Sequence, residues 1–135
     1  MSENAVGGVV FDRAALIDWA WQKPYPQAMC FAVAKVGSTI VVPATALTEA
    51  RALIPTDRHD ILDVLLDLPN TVVTALDRAA HTGVAGVLAA SPDAVDALSA
   101  AHAVAESVGR DFPCLTSRGA QLRDLDPRID LDELP

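Results

Sequence analysis

Short apolar runs alternate along the chain with longer segments in which apolar residues recur at helical spacing. Runs rich in β-branched residues predict strands, and they occupy residues 9–12, 39–42, 71–74 and 112–116. Residues 129–132 alternate as a thin fifth strand at an edge. Strands separated by helices are typical of a parallel sheet covered by helices. The pattern predicts one α/β/α sandwich over residues 1–135, with a mainly parallel central sheet of four or five strands.

The intervals between these strands carry helical periodicity. Predicted helices cover residues 13–21, 27–36, 44–53, 55–69, 77–88, 91–108 and 120–125. Pro24 and Pro26 are expected to break the chain before the second helix, and Gly37 is expected to stop it. Gly109 is expected to end the long helix that precedes the fourth strand.

Composition limits the classes of function. The 135 residues are 51% hydrophobic and 21% charged, which fits one domain with a sizeable core. A formal net charge of -8 argues against sequence-independent attachment to DNA or to anionic lipid, because such attachment needs a basic surface. Eight of the ten basic residues are arginine, which binds phosphate in a bidentate manner, so a local nucleic-acid site remains compatible with the sequence.

The surroundings of the cysteines and the hydropathy of the sequence indicate the cellular compartment. Cys30 and Cys114 lie among apolar residues, which predicts small core side chains in a reducing cytosol. The sequence has no basic leader with an apolar segment behind it, and no apolar run near the length of about 20 residues that a bilayer requires. We therefore expect a soluble, cytoplasmic protein without a membrane partner.

Three acids stand at positions where a parallel sheet places its sites. Asp12 ends the first strand, at the carboxyl edge where open α/β folds bind ligands. Glu49 follows the second strand on an apolar helix, where a single acid belongs either to a solvated face or to a site. Asp96 lies in the first turns of the helix that Ser91, Pro92 and Asp93 are predicted to start, where it serves either the helix dipole or a site.

Other titratable residues give weaker signals. Asp60, Asp63 and Asp67 share one helix face, but carboxylates along a single helix do not surround a cation, so we predict a solvated face. His81 and His102 lack the spacing of a metal site or of a hydrolase triad, and we expect structural or surface roles for both.

Taken together, four segments resemble the PIN domain, a small metal-dependent nuclease fold that is used by ribonuclease toxins of toxin–antitoxin pairs. The segments are Val9-Val10-Phe11-Asp12, then Val41-Val42-Pro43 with Thr48-Glu49-Ala50-Arg51, then Asp93-Ala94-Val95-Asp96-Ala97, and Leu115-Thr116-Ser117. No single motif is specific, so the resemblance rests on the order and spacing of the four segments. It extends over roughly residues 8–131.

The resemblance implies a cluster of carboxylates that holds Mg²⁺ or Mn²⁺ for hydrolysis of an RNA phosphodiester. Asp12, Glu49 and Asp96 would be both the metal ligands and the catalytic residues. It also implies an RNA substrate, an antitoxin partner and a homodimer. The implied substrate-binding residues are Arg13, Arg51, Thr116, Ser117 and Arg118.

Two positions depart from the pattern of that family. Arg13 replaces the serine or threonine that usually follows the first aspartate, and Arg118 stands where a fourth acid commonly follows the Thr-Ser pair. A guanidinium that points inward at residue 118 would occupy the space of a divalent cation and carry the same sign.

Three hypotheses follow. In the first, the protein is a metal-dependent RNA endonuclease in which arginines bind the RNA phosphate. In the second, Arg118 forms an ion pair with Asp12 or Asp96 and replaces the metal, which leaves a catalytically degenerate binding or regulatory module. In the third, the domain serves structure or dimerisation through apolar helices that carry Trp19, Trp21, Met29 and Phe31. The orientation of Arg118 distinguishes the first two.

Overall fold

Five strands and the helices between them make up the described parts of the chain. The structure is a computed structural model that describes residues 7–91 and 97–135. The strands are β1 (Gly8–Phe11), β2 (Thr39–Pro43), β3 (Thr71–Thr74), β4 (Cys114–Thr116) and β5 (Leu131–Glu133). The helices are α1 (Arg13–Ala20), α2 (Pro24–Lys35), α3 (Ala44–Leu53), α4 (His59–Asp67), α5 (His81–Leu88), α6 (Leu98–Arg110) and α7 (Gly119–Leu125), with a 3₁₀ turn at Thr56–Arg58.

The strands form a single sheet in the order β3-β2-β1-β4-β5, and each described pairing is parallel. From β1 the chain first adds β2 and β3 on one side, and then returns to add β4 and β5 on the other. The order of the strands therefore reverses between β1 and β4. In open α/β sheets, a crevice for ligands lies outside the carboxyl ends of the strands at such a point. The predicted fold class is confirmed.

Alternation along β1 divides the core into two layers. Val9 and Phe11 pack with the helices α1 to α4 on one face, whereas Val10 packs with α5, α6 and α7 on the other. All three side chains are fully buried. Burial of an apolar side chain of this size stabilises a fold by about 1.5–3 kcal/mol, so the central strand holds Asp12, which follows it, in a rigid setting.

Several element boundaries differ from the prediction. Helix α2 begins at Pro24 and includes Pro26, because a proline in the first turn of a helix lacks only an amide that would have no helical partner there. Helix α6 continues through Gly109 to Arg110, and Asp111 closes it in the left-handed conformation at φ 58°. Strand β5 lies later in the chain than residues 129–132. The predicted helix start at Ser91, Pro92 and Asp93 falls partly on residues 92–96, which are outside the described residues.

No helix in the described ranges combines the length and the apolar character that a membrane crossing requires.

Candidate active site

Asp12 lies directly after β1 and is fully buried at the carboxyl edge of the sheet. Its Oδ1 accepts a hydrogen bond from the backbone N–H of Ala15 at 3.1 Å, so Asp12 is the N-cap of α1. Its Oδ2 accepts a hydrogen bond of 2.6 Å from the hydroxyl of Thr116, the last residue of β4. The two strands on either side of the point of reversal therefore meet at this carboxylate.

Arg118 points inward. Its Nη2 and Nε lie 3.3 Å and 3.4 Å from Asp12 Oδ2, and its side chain is 15% exposed. The backbone N–H of Arg118 donates to the Thr116 hydroxyl at 2.8 Å. Thr116 thus accepts from the main chain of Arg118 while it donates to Asp12, which fixes the short turn that leads from β4 to α7. The guanidinium of Arg118 occupies the side of Asp12 that faces this turn.

Glu49 is held by a different pair of donors. Its Oε1 accepts from Arg13 Nη1 at 2.7 Å and from the hydroxyl of Ser99 at 2.7 Å. Arg13 is the first residue of α1 and the direct neighbour of Asp12, so this contact ties α3 to the edge that carries Asp12. The side chains of Arg13 and Glu49 are 30% and 36% exposed. The ion pair is therefore screened by solvent, and its contribution to stability is modest.

The remaining predicted site residues are Arg51, Ser117 and Asp96. Arg51 pairs with Asp63 on α4, with Nη2 and Oδ1 2.5 Å apart, and its backbone oxygen contacts His59 Nε2 at 3.0 Å. This pair links α3 to α4. Ser117 is exposed in the turn after β4. Asp96 lies outside the described residues, so its predicted place beside Asp12 and Glu49 stays a prediction.

Sequence reasoning did not find Ser99 or Glu133. Ser99 follows Asp96 by three residues, which is a helical spacing, but a serine in an alanine-rich helix is too common to indicate a site. Glu133 ends β5 and pairs in register with Thr116, which places it at the same edge of the sheet. The strand was predicted at residues 129–132, which excluded Glu133. The exposed carboxylate of Glu133 lies so close to Gly119 that a Cβ at residue 119 would fit only if this carboxylate moved.

The described side chains do not fit a resident metal ion as they stand. An ionised carboxylate offers about four lone-pair positions. Four donor atoms surround Asp12: the N–H of Ala15, the hydroxyl of Thr116, and Nε and Nη2 of Arg118. Three of these donors share Oδ2, so a cation would have to displace Arg118 to bind that oxygen. Within residues 7–91 and 97–135, no three side chains of the metal-binding types are grouped to hold an ion.

Comparison with known proteins supports the fold. No protein family matches the sequence, and no curated protein matches it significantly. Among solved structures, the chain is similar to a chain in the crystal structure of VapBC2 from Rickettsia felis bound to a DNA fragment from their promoter. The TM-score is 0.67 at 15% sequence identity, over 93% of this chain and 97% of that chain. At this identity the likeness shows the fold alone, and it agrees with the PIN-like α/β class that the sequence predicts.

Proposed function

We propose that the chain is a PIN-like domain in which Arg118 takes the place of a metal ion, so that it acts as a binding or regulatory module and does not hydrolyse RNA. The observation that carries this proposal is the position of the Arg118 guanidinium, 3.3 Å from the buried carboxylate of Asp12. A guanidinium and a divalent cation compete for the same carboxylate oxygens, because both are positive and both bind at short range.

The ion pairs at this edge support the same conclusion. Asp12 pairs with Arg118, and Glu49 pairs with Arg13, so each of these two acids has a positive partner. Carboxylates that are gathered without partners repel one another, and a bound cation would relieve that repulsion. Here the arginines already do so. We therefore expect little affinity for Mg²⁺ or Mn²⁺ in the wild-type protein.

The proposed partners follow from the fold. VapBC2 of Rickettsia felis is a complex that binds promoter DNA. By analogy we propose that this chain binds a small protein of the antitoxin type and forms a homodimer. The net charge of -8 favours a basic partner protein. We also propose that the protein is located in the cytoplasm.

Replacement of Arg118 by aspartate tests the proposal. Arg118→Asp removes the guanidinium and restores an acid, so we expect it to bind Mn²⁺ and to gain thermal stability as Mn²⁺ is added, since a ligand that binds only the folded state raises the melting temperature. Arg123→Asp is the matched control, because it makes the same charge change at an exposed position of α7. We expect the wild type and Arg123→Asp to show no such gain, by electron paramagnetic resonance of free Mn²⁺ and by thermal unfolding. Tight Mn²⁺ binding by the wild type, or none by a folded Arg118→Asp, would contradict the proposal.

A metal-dependent RNA endonuclease is the second candidate, and the length of the Arg118 contacts favours it. Strong hydrogen bonds between a guanidinium and a carboxylate are about 2.7–2.9 Å long, whereas those of Arg118 to Asp12 are 3.3 Å and 3.4 Å. In this candidate the guanidinium turns from Asp12 to an RNA phosphate when substrate binds. Asp12, Glu49 and Asp96 would then hold Mg²⁺ or Mn²⁺, which activates water when it is bound.

In this second candidate the arginines bind substrate. Arg118 and Arg13 would grip the RNA phosphate beside Asp12, with Arg51 further along α3. The exposed hydroxyl of Ser117 would position the phosphate, whereas the buried hydroxyl of Thr116 would orient Asp12. Ribonuclease activity in Mn²⁺ that is abolished by Asp12→Asn would establish this candidate. Equal activity of the wild type and Asp12→Asn would exclude it.

A further inference from the structure

Two side-chain contacts join α3 to α6. The hydroxyl of Ser99 donates to Glu49 Oε1 at 2.7 Å, and Thr45 Oγ1 lies 2.8 Å from His102 Nδ1. Thr45 precedes Glu49 by four residues and Ser99 precedes His102 by three, so the partners lie one helical turn apart on each helix. Two contacts separated by a turn fix both the spacing of two helices and the rotation of each about its axis.

Several of the other buried residues of α6 are alanines, which constrain the rotation only weakly. They include Ala100, Ala101 and Ala103, which are small and allow a close approach. Methyl groups pack with similar energy over a range of distances and angles, whereas hydrogen bonds require particular distances and directions. The polar pairs therefore depend on the angle of rotation more sharply than the alanines do.

His102 is fully buried, and its Nε2 has no hydrogen-bond partner in the described part of the chain. Burial lowers the pKa of His102, and the nearby carboxylate of Glu106 opposes this effect. Burial therefore favours the neutral ring. We assign its single N–H to Nε2, because that nitrogen faces Glu106 Oε2 at 3.8 Å, and in this tautomer Nδ1 accepts from the Thr45 hydroxyl.

A buried nitrogen without a hydrogen-bond partner is unfavourable, and an apolar side chain of similar size would fill the same space without that cost. Packing alone therefore does not account for histidine at this position. The contact with Thr45 does account for it, because an apolar side chain could not accept the hydroxyl proton.

We infer that Thr45 and His102 are positioning residues that set the rotation of α3 and so bring Glu49 to Arg13 at the edge that carries Asp12. Ser99 completes the arrangement by holding the carboxylate itself. The inference rests on the proposed function only in so far as Glu49 belongs to the site, and it holds whether a metal ion or Arg118 occupies the pocket.

Nuclear magnetic resonance of the Arg13 guanidinium tests this inference without any metal or RNA. Its side-chain signals are assigned by comparison with Arg13→Lys, and the exchange of its N–H protons with water reports the bond to Glu49. We expect Thr45→Val to accelerate this exchange about fivefold, which corresponds to the loss of one ordinary hydrogen bond. We expect Thr45→Ser to restore the wild-type rate, because serine keeps the hydroxyl. The ring signals of His102 should show a protonated Nε2 and an accepting Nδ1.

Thr48→Val is the matched control. Thr48 is on the same helix, but it is exposed and its hydroxyl donates to Ala44 of its own helix at 2.8 Å. It should leave the exchange of Arg13 unchanged. His102→Leu removes the acceptor from the opposite side, and should reproduce the effect of Thr45→Val.

The outcomes separate the inference from the proposed function. Unchanged Arg13 exchange in folded Thr45→Val would overturn the inference, and so would unfolding of both Thr45→Val and His102→Leu, which would assign the pair to stability alone. Neither result depends on whether Arg118→Asp binds Mn²⁺.

Discussion

The guanidinium Nη2 of Arg118 lies 3.3 Å from Oδ2 of Asp12, and the Asp12 side chain is fully buried. This places a positive charge at the carboxyl edge between β1 and β4, at the position where the sequence resemblance implies a metal ion. Removal of water strengthens the attraction between the two groups, but each has also lost its hydration. Removal of either partner alone should therefore lower the stability of the fold by more than the intact pair contributes to it.

The first prediction concerns this pair. Arg118→Ala leaves the buried carboxylate of Asp12 with Thr116 and Ala15 as its remaining donors, so we expect the free energy of unfolding to fall by about 1–3 kcal/mol. Urea denaturation measures this change. In the Asp12→Asn background the same substitution should have a smaller effect, because no buried charge is left unpaired. Equal effects in both backgrounds would show that the pair does not interact.

A second prediction separates the Thr116 hydroxyl from its methyl group. Thr116→Val should destabilise the fold by about 1–3 kcal/mol, since it leaves both Asp12 and the N–H of Arg118 without this partner. Thr116→Ser should retain most of the stability. Thr74→Val is the control, because the Thr74 hydroxyl is buried without a hydrogen-bond partner among the described residues. It should be neutral or slightly stabilising, and a loss as large as that of Thr116→Val would refute this account.

The fold was predictable from the sequence because its signals are local. A continuous apolar run such as Val9 to Phe11 reflects a strand that is buried on both faces. The repeated apolar spacing of the helices reflects burial on one face. Boundaries were less certain where two local rules compete. The sequence predicts a helix end at Gly109, but the helix continues to Arg110 and Asp111 closes it in the left-handed conformation. Asp111 adopts the left-handed conformation that glycine more often supplies at a helix end.

The site was predictable only in part because its contacts are distant in sequence. The position of Asp12 follows from the end of a buried strand, and this part of the prediction agrees with the structure. The ion pair of Arg118 with Asp12 spans 106 residues, and that of Arg13 with Glu49 spans 36. Spacing rules for helices and strands do not reach so far. The sequence therefore identified Arg118 as decisive without fixing its direction.

A third prediction uses the two cysteines, which are both buried as the sequence indicates. Burial raises the pKa of the Cys30 thiol to about 12 and that of Cys114 well above its usual range. Because the thiolate is the reactive form, neither should react with a disulfide reagent at pH 8 while the protein is folded. We expect both to react fully in urea. Single substitutions Cys30→Ser and Cys114→Ser would assign any residual reactivity, and rapid modification of the native protein at either position would contradict the burial described here.

The last prediction concerns pH. Burial lowers the pKa of His102 below its ordinary value of 6.5, so in the window beneath 6.5 the unfolded chain takes up a proton that the folded chain does not. This contribution to stability is therefore complete above pH 6.5 and is lost as the pH falls towards the lowered pKa. His102→Leu should reduce the decline of stability with falling pH in that window, measured by urea denaturation at closely spaced pH values. His81→Gln is the control, because His81 is exposed and contacts the backbone of its own turn, and it should retain the wild-type slope. If His102→Leu kept that slope, the folded protein would bind a proton at His102 within this window, and burial of the ring would not oppose its protonation.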